Sequence, residues 1–109
     1  MLFSIDEASL TRKGDVVKFW ERLVFPVPEQ RDQASGQMVK EKRIHRVMNC
    51  ADRTQGHIYT ALFAPDGRQI EVVYLSEANI EMKLIAPNSV AAKELEWVCA
   101  ASRSVVNKP

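Results

Sequence analysis

Two cysteines and two histidines are the side chains of this 109-residue chain that most readily suggest nucleophilic or metal chemistry. Cys50 and Cys99 stand 49 positions apart with no CxxC, a spacing that offers no zinc set. Three readings stay open for them. They pair in a disulfide, they are buried free thiols packing as small hydrophobes, or Cys50 and His57 form a thiolate–imidazole couple across a turn. A bridge closing a loop of that length contributes about 4 kcal/mol in the chain-entropy model. His57 at a strand start and His45 among Lys42, Arg43 and Arg46 otherwise read as surface residues. No GxSxG, HExxH, phosphate loop or GxGxxG is present. Glu94 and Glu96 fall on different sides of a helix, so spacing proposes no acid–base pair. No catalytic residue, metal or cofactor is expected.

Lys40, Lys42, Arg43 and Arg46, with His45 between them, form a basic stretch. Such a stretch suits an acidic protein or a sulfated polymer. It also suits a solvated edge strand, where lysine discourages sheet-to-sheet pairing. Phe19, Trp20, Tyr59, Phe63 and Tyr74 offer stacking surface, but at alternating strand positions aromatics serve the core more often.

The elements that position these residues follow from patterning. Fifteen Lys and Arg against fourteen Asp and Glu leave a net charge of +1, no electrostatic case for nucleic acid or an anionic membrane. Apolar residues at 46% and charged residues at 27% are the balance of one globular domain over residues 1–109, with an ordered core over 2–101 and a polar tail over 102–109. No apolar run is long enough for a transmembrane helix. The start, MLFSI, lacks the pattern of a secretory signal, which leaves a cytoplasmic protein or a mature fragment as the two expectations. Asp6–Ser9 reads as a polar turn and Lys13-Gly14-Asp15 as a tight hairpin. Val16–Phe25 alternates, with Val17, Phe19, Glu21, Leu23 and Phe25 on the core side and Trp20 on the opposite, partly open face, a place where the helix could cover it. Pro26 and Pro28 stop that strand, and residues 29–37 read as a mobile loop. Strands follow over 38–50, 57–64 and 69–76, the last two joined by Pro65-Asp66-Gly67. Asp52–Gly56 reads as a turn, and 80–84 allows a short edge strand. Asn88 or Ser89 caps a helix whose stripe is Val90, Glu94, Leu95, Val98 and Ala101. Antiparallel strands followed by a C-terminal helix make an α+β fold. Val17, Phe19, Leu23, Ile58, Leu62, Val72, Leu95 and Val98 are expected to line its core.

Three segments together, FSIDEASLTRKGDVVKFW, NCADRTQ and IAPNSVAAKELEWVC, resemble the surface-adhesin protein E family of Gram-negative bacteria. The matching positions are Asp6, Ser9, Gly14, Trp20, Cys50, Pro87, Ser89, Val90 and Cys99. A departure is the absence of a Trp in Asn79–Ala86, ahead of the helix-opening Pro. The resemblance implies a strongly bent antiparallel sheet of about five or six strands with the helix packed on it. It implies that Cys50 and Cys99 pair, and that the protein is exported and either periplasmic or associated with the outer membrane or secreted. The family's namesake binds host matrix and serum proteins and can dimerise. The first reading is therefore a non-enzymatic, disulfide-bonded envelope protein, possible as a monomer or weak homodimer. Its expected partner is a host or envelope protein or an acidic polysaccharide, met through Lys40, Lys42, Arg43 and Arg46. The alternative is a small-ligand-binding or accessory domain with reduced cysteines.

Overall fold

The alternating apolar side of residues 16–24 creates the strand on which the other elements are laid. The computed structural model describes residues 2–26, 30–31, 36–75 and 79–104. In chain order these form β1 (Leu2–Lys13), β2 (Val16–Val24), β3 (Gln30–Arg31), β4 (Met38–Val39), β5 (Glu41–Asn49), β6 (Thr54–Phe63), β7 (Gln69–Tyr74), β8 (Lys83–Leu84) and helix α1 (Val90–Ala101), followed by a 3₁₀ turn over Ser102–Ser104. The main sheet runs β1-β2-β5-β6-β7, with β8 on the other end of β6, while β3 and β4 pair by themselves. All its pairings are antiparallel. The sheet is bent, is not closed into a barrel, and carries the helix on one face. Among the described residues no helix is long and apolar enough to cross a membrane.

The bend has local causes. Residues 7–10 of β1 span the place of Phe19 alone, because pairing runs from Asp6↔Trp20 to Thr11↔Lys18. Such an insertion kinks the strand and raises its twist. Polar side chains hold it: the Ser9 hydroxyl accepts from the Trp20 N–H at 2.8 Å and donates to the Asp6 carbonyl at 2.6 Å, and Asp6 Oδ1 accepts from the Ala8 N–H. The Asp6–Ser9 turn is thus a bulge inside one strand. A second bulge places Ile58 outside the β5 pairing, between His45↔Tyr59 and Arg46↔His57. Gly14, at φ 60°, makes the β1–β2 hairpin, where an L side chain would be strained.

Register assigns every side chain to one of two faces. Val17, Phe19 and Glu21 of β2 share the helix side with Ile44, Arg46 and Met48 of β5. There Leu10, Val17, Phe19, Met48, Ile85, Ala92, Leu95 and Val98 form the core. Val17, Phe19, Ile58, Leu95 and Val98 are buried as expected. Leu23 and Leu62 are only half-buried, since they lie beyond the rows that contact the helix. Val72 is exposed: its partner is Ala61, which puts it on the opposite face of an outer strand. Val90 is also exposed, at the first position of the helix. Trp20 lies on the opposite, partly open face as expected, covered by a stack with His45 rather than by the helix.

Other expectations are corrected by pairing. Gln30–Arg31, assigned to a loop, pairs with Met38–Val39; residues 29 and 32–35 of that loop lie outside the described residues. The turn before β6 is shorter than 52–56, because Thr54 already pairs with Asn49. Asn49 Oδ1 accepts from the Ala51 and Asp52 N–H groups and closes that turn with its side chain. Ser102 is fully buried at the helix end, while residues 105–109 of the tail lie outside the described residues.

Four bonds start and seat the helix. Ser89 caps it, accepting from the Ala92 N–H at 3.1 Å. Cys50 and Cys99 are joined, their Cα atoms 6.0 Å apart. Arg12 donates to the Cys99 carbonyl at 2.9 Å and to the Ser102 hydroxyl at 3.2 Å, placing a cation where the helix dipole is negative. Leu95→Ala is expected to cost roughly 2–5 kcal/mol in denaturant unfolding; a change under about 0.5 kcal/mol would mean the helix is not docked. Thiol labelling of protein made under oxidising conditions should find no free cysteine before reduction. The Cys50→Ala/Cys99→Ala variant should lose about 2–5 kcal/mol.

Candidate functional site

Cross-strand register draws three rows across the face that lacks the helix. The first is Trp20, His45, Tyr59 and Tyr74; the second Arg22, Arg43, Ala61 and Val72; the third Val24, Glu41 and Phe63. Next to the first row on the other side, Val47 pairs with Gly56. A Cβ on Gly56 would stand 2.7 Å from Ile80 Cγ2 and 2.9 Å from Met82 Sδ. The missing side chain lets the segment before β8 cross the face there, so the face is covered at one end and open over the three rows.

In the first row, Trp20 and His45 stack with ring centroids 4.6 Å apart and planes 6° apart, and Tyr59 meets Trp20 edge-on at 5.4 Å. In the second, Arg22 and Arg43 are directly opposed, a repulsive placement unless a carboxylate intervenes. Glu41 supplies it, accepting from both guanidiniums. Arg22 at 2.8 Å, with help from Arg43, pulls the Glu41 carboxyl below its usual range against the opposing effect of burial, and Glu41 in turn raises the already high Arg22 value. Arg43 is laid over the Phe63 ring, 4.6 Å from its centroid. Between the rows lies a hollow of about 530 Å³, lined by Trp20, Arg22, Arg43, Tyr59, Ala61 and Phe63, with Ser4, Asp6 and Gln69 also at its boundary.

The basic stretch is therefore divided. Its strand is interior, flanked by β2 and β6, so the solvated-edge reading does not apply. Arg43 lines the hollow. Lys40 donates to the Pro26 carbonyl at 2.8 Å. Lys42 is half-buried, and burial lowers its ammonium pKa. Arg46 points to the helix side, bidentate on Glu21 at 3.1 and 3.2 Å and 3.9 Å from Glu94. His57 is exposed and Cys50 is in the disulfide, so no thiolate–imidazole couple forms.

Sequence spacing did not bring Glu94 together with any acid, yet the fold sets it beside Glu21 in the helix–sheet interface. Both residues are buried. Burial first, then the hydrogen bond and charge of Glu21, push the Glu94 carboxyl up to about 9 against the attraction of Arg46. Among the described residues Glu94 Oε2 has no hydrogen-bond donor in reach; a proton on the carboxyl makes the pair a donor and an acceptor. The signal was present in the sequence as two acids on otherwise apolar faces. Because the folded value lies above the unfolded one, the folded state holds the extra proton from about pH 4.5 to about 9, and stability falls as pH rises through that window. Glu94→Gln should remove this slope, up to about 1.4 kcal/mol per pH unit, and gain on the parent chain from pH 6 to pH 8 in urea titrations. A parallel pH dependence in the two proteins would refute the protonated pair.

One covered face, one open face and a disulfide at the helix end define a small sheet-and-helix scaffold. The profile of the surface-adhesin protein E family matches residues 1–100, and the chain belongs to that family. Solved structures of Haemophilus influenzae protein E share its fold. One superposes with a TM-score of 0.65 at 13% identity, over 96% of this chain and 82% of that one. Crystal form II gives 0.64 at 14%, over 90% and 80%. Protein E from non-typeable Haemophilus influenzae gives 0.63 at 13%, over 94% and 72%. A search of curated proteins found no match.

Proposed function

We propose that this chain is an exported, non-enzymatic envelope protein of adhesin type, which holds a host or envelope macromolecule against the open face of its sheet. Membership of the surface-adhesin protein E family across residues 1–100 carries the reading. The disulfide supports it, because such bonds persist in oxidising compartments such as the periplasm and the cell exterior. Of the four basic residues expected to meet an anionic partner, Arg43 lines the hollow, with Arg22 beside it. The attraction is assigned to these two, with Lys40 and Lys42 adding longer-range charge. Arg46 has a different task, since removing it would leave Glu21 as a buried unpaired charge at a cost of about 3–5 kcal/mol.

The test is surface plasmon resonance of the oxidised protein over immobilised extracellular-matrix proteins, serum proteins and outer-membrane extracts. Saturable binding is expected to weaken in Arg22→Gln/Arg43→Gln and to fall with added salt, as exposed charges are screened over about 8–10 Å. Absence of saturable binding to every surface would overturn the reading. So would a turnover that survives purification and depends on a residue of the hollow.

A further inference from the structure

We infer that the hollow over Ala61 is a site for an acidic sugar, whose carboxylate or sulfate meets Arg22 and Arg43 while its ring lies in the gap between Tyr59 and Phe63. The inference deepens the proposed function and rests on its premise that the open face binds. Same-face residues two apart on a strand stand about 7 Å from each other. Ala61 therefore leaves a slot with a methyl floor between two aromatic side chains of one strand. Ala61 itself is at 3% exposure, so it forms the bottom of the hollow with little surface of its own open.

The charge at one end of the slot is set out in advance. Two guanidiniums share the single carboxylate of Glu41, which leaves that cluster one net positive charge; the other carboxylate at the boundary, Asp6, accepts from the Ala8 N–H through Oδ1. Both arginine side chains are more than half exposed, at 56% and 54%, while Glu41 is at 12%. Each guanidinium has five N–H donors, more than Glu41 can accept, and their planar forks suit a carboxylate or sulfate. Phe63 and Glu41 hold Arg43 in place, so little side-chain freedom is lost when an anion arrives. Ser4 and Gln69 bring a hydroxyl and an amide to the boundary, groups that match sugar hydroxyls.

The same surroundings disfavour an extended acidic peptide. At Tyr59–Leu62, β6 is paired on both sides, with β5 and with β7. The strand that floors the slot therefore offers no free backbone edge for strand addition. Aromatic walls, one of them already under Arg43, a methyl floor and fixed cations remain, and these recognise a ring that carries an anion.

The test is isothermal titration of the oxidised protein with a heparin tetrasaccharide, a hyaluronan tetrasaccharide and poly-L-glutamate. At least one sugar should bind: heparin alone assigns sulfate, hyaluronan alone assigns carboxylate, and both assign the shared anionic chemistry. Arg43→Gln and Arg22→Gln should each lose about tenfold or more in affinity, the scale of a charge-assisted hydrogen bond. Ala61→Leu should abolish binding with all charges kept. Lys83→Gln, on an exposed strand outside the hollow, should stay within about twofold. The arginine variants alter exposed side chains and read the site even if Ala61→Leu does not fold.

Failure of both sugars to bind would overturn the inference. So would equal losses in Lys83→Gln and Arg43→Gln with none in a folded Ala61→Leu, which means diffuse attraction. Poly-L-glutamate binding with the same variant pattern would reassign the site to acidic peptide. If the sugars fail while the protein still binds immobilised macromolecules, this inference falls alone; if both kinds of binding are missing, the wider reading falls with it.

Discussion

The covalent tie between Cys50 and Cys99 decides which face of the sheet becomes the core. A twelve-residue helix is marginal by itself in water, and its stability comes from the surface it covers. The bond fixes the helix end beside the turn that follows β5, and Arg12 holds the same end from β1 through the Cys99 carbonyl and Ser102. With the helix pinned there, Val17, Phe19 and Met48 are buried against Leu95 and Val98. One helix can cover one face. The other face of the same bent sheet is left to aromatic rows, arginines and solvent, and it is the face on which binding is proposed.

The helix does not dock on a purely apolar surface. Glu21 and Arg46 place a bidentate ion pair beneath it, and Glu94 adds a second acid. Taking charges out of water costs more than their attraction returns unless the remaining lone pairs and protons are satisfied. One cation facing two acids balances only if one acid is protonated, and burial raises Glu94 for that part. Gln55 takes a further Arg46 donor at 3.3 Å. The cluster is better read as setting the register of helix against sheet than as a gain in stability: an apolar stripe tolerates sliding, whereas Glu94 must meet Glu21 and Arg46.

Much of the architecture was legible in local chemistry. The Val16–Val24 alternation, Gly14, the Pro65–Gly67 turn and Ser89 each act within a few residues, and each is found where its chemistry places it. Cys50–Cys99 pairing followed from family resemblance, since spacing alone left free thiols open. The errors share one cause. Val72 has a strand pattern that fits either face, and only its pairing with Ala61 shows that it lies away from the helix. Lys40–Arg46 looks like an edge because it is charged, yet its strand lies inside the sheet, with Arg43 and Arg46 on opposite faces. The opposition of Arg22 and Arg43 and their shared Glu41 depend on register between β2 and β5, which no local pattern encodes. Glu21 and Glu94 were visible as acids on apolar faces, but the helix had to dock before they became a pair.

The two faces are coupled through shared strands. Glu21 is held under the helix by Arg46, and its chain neighbours Trp20 and Arg22 are thereby turned to the open face. On β5, Ile44 and Arg46 face the helix, so Arg43 and His45 cannot. Period-two geometry converts a buried ion pair on one side into fixed positions for an aromatic stack and two guanidiniums on the other. A one-residue slip of β2 against β5 would break both sets at once. The open face can therefore be rigid without a core of its own: the helix side supplies the burial, the bulges supply the bend, and Gly56 admits the crossing segment that closes one end. What remains uncovered is the stretch where Ala61 lies low among aromatic and cationic neighbours.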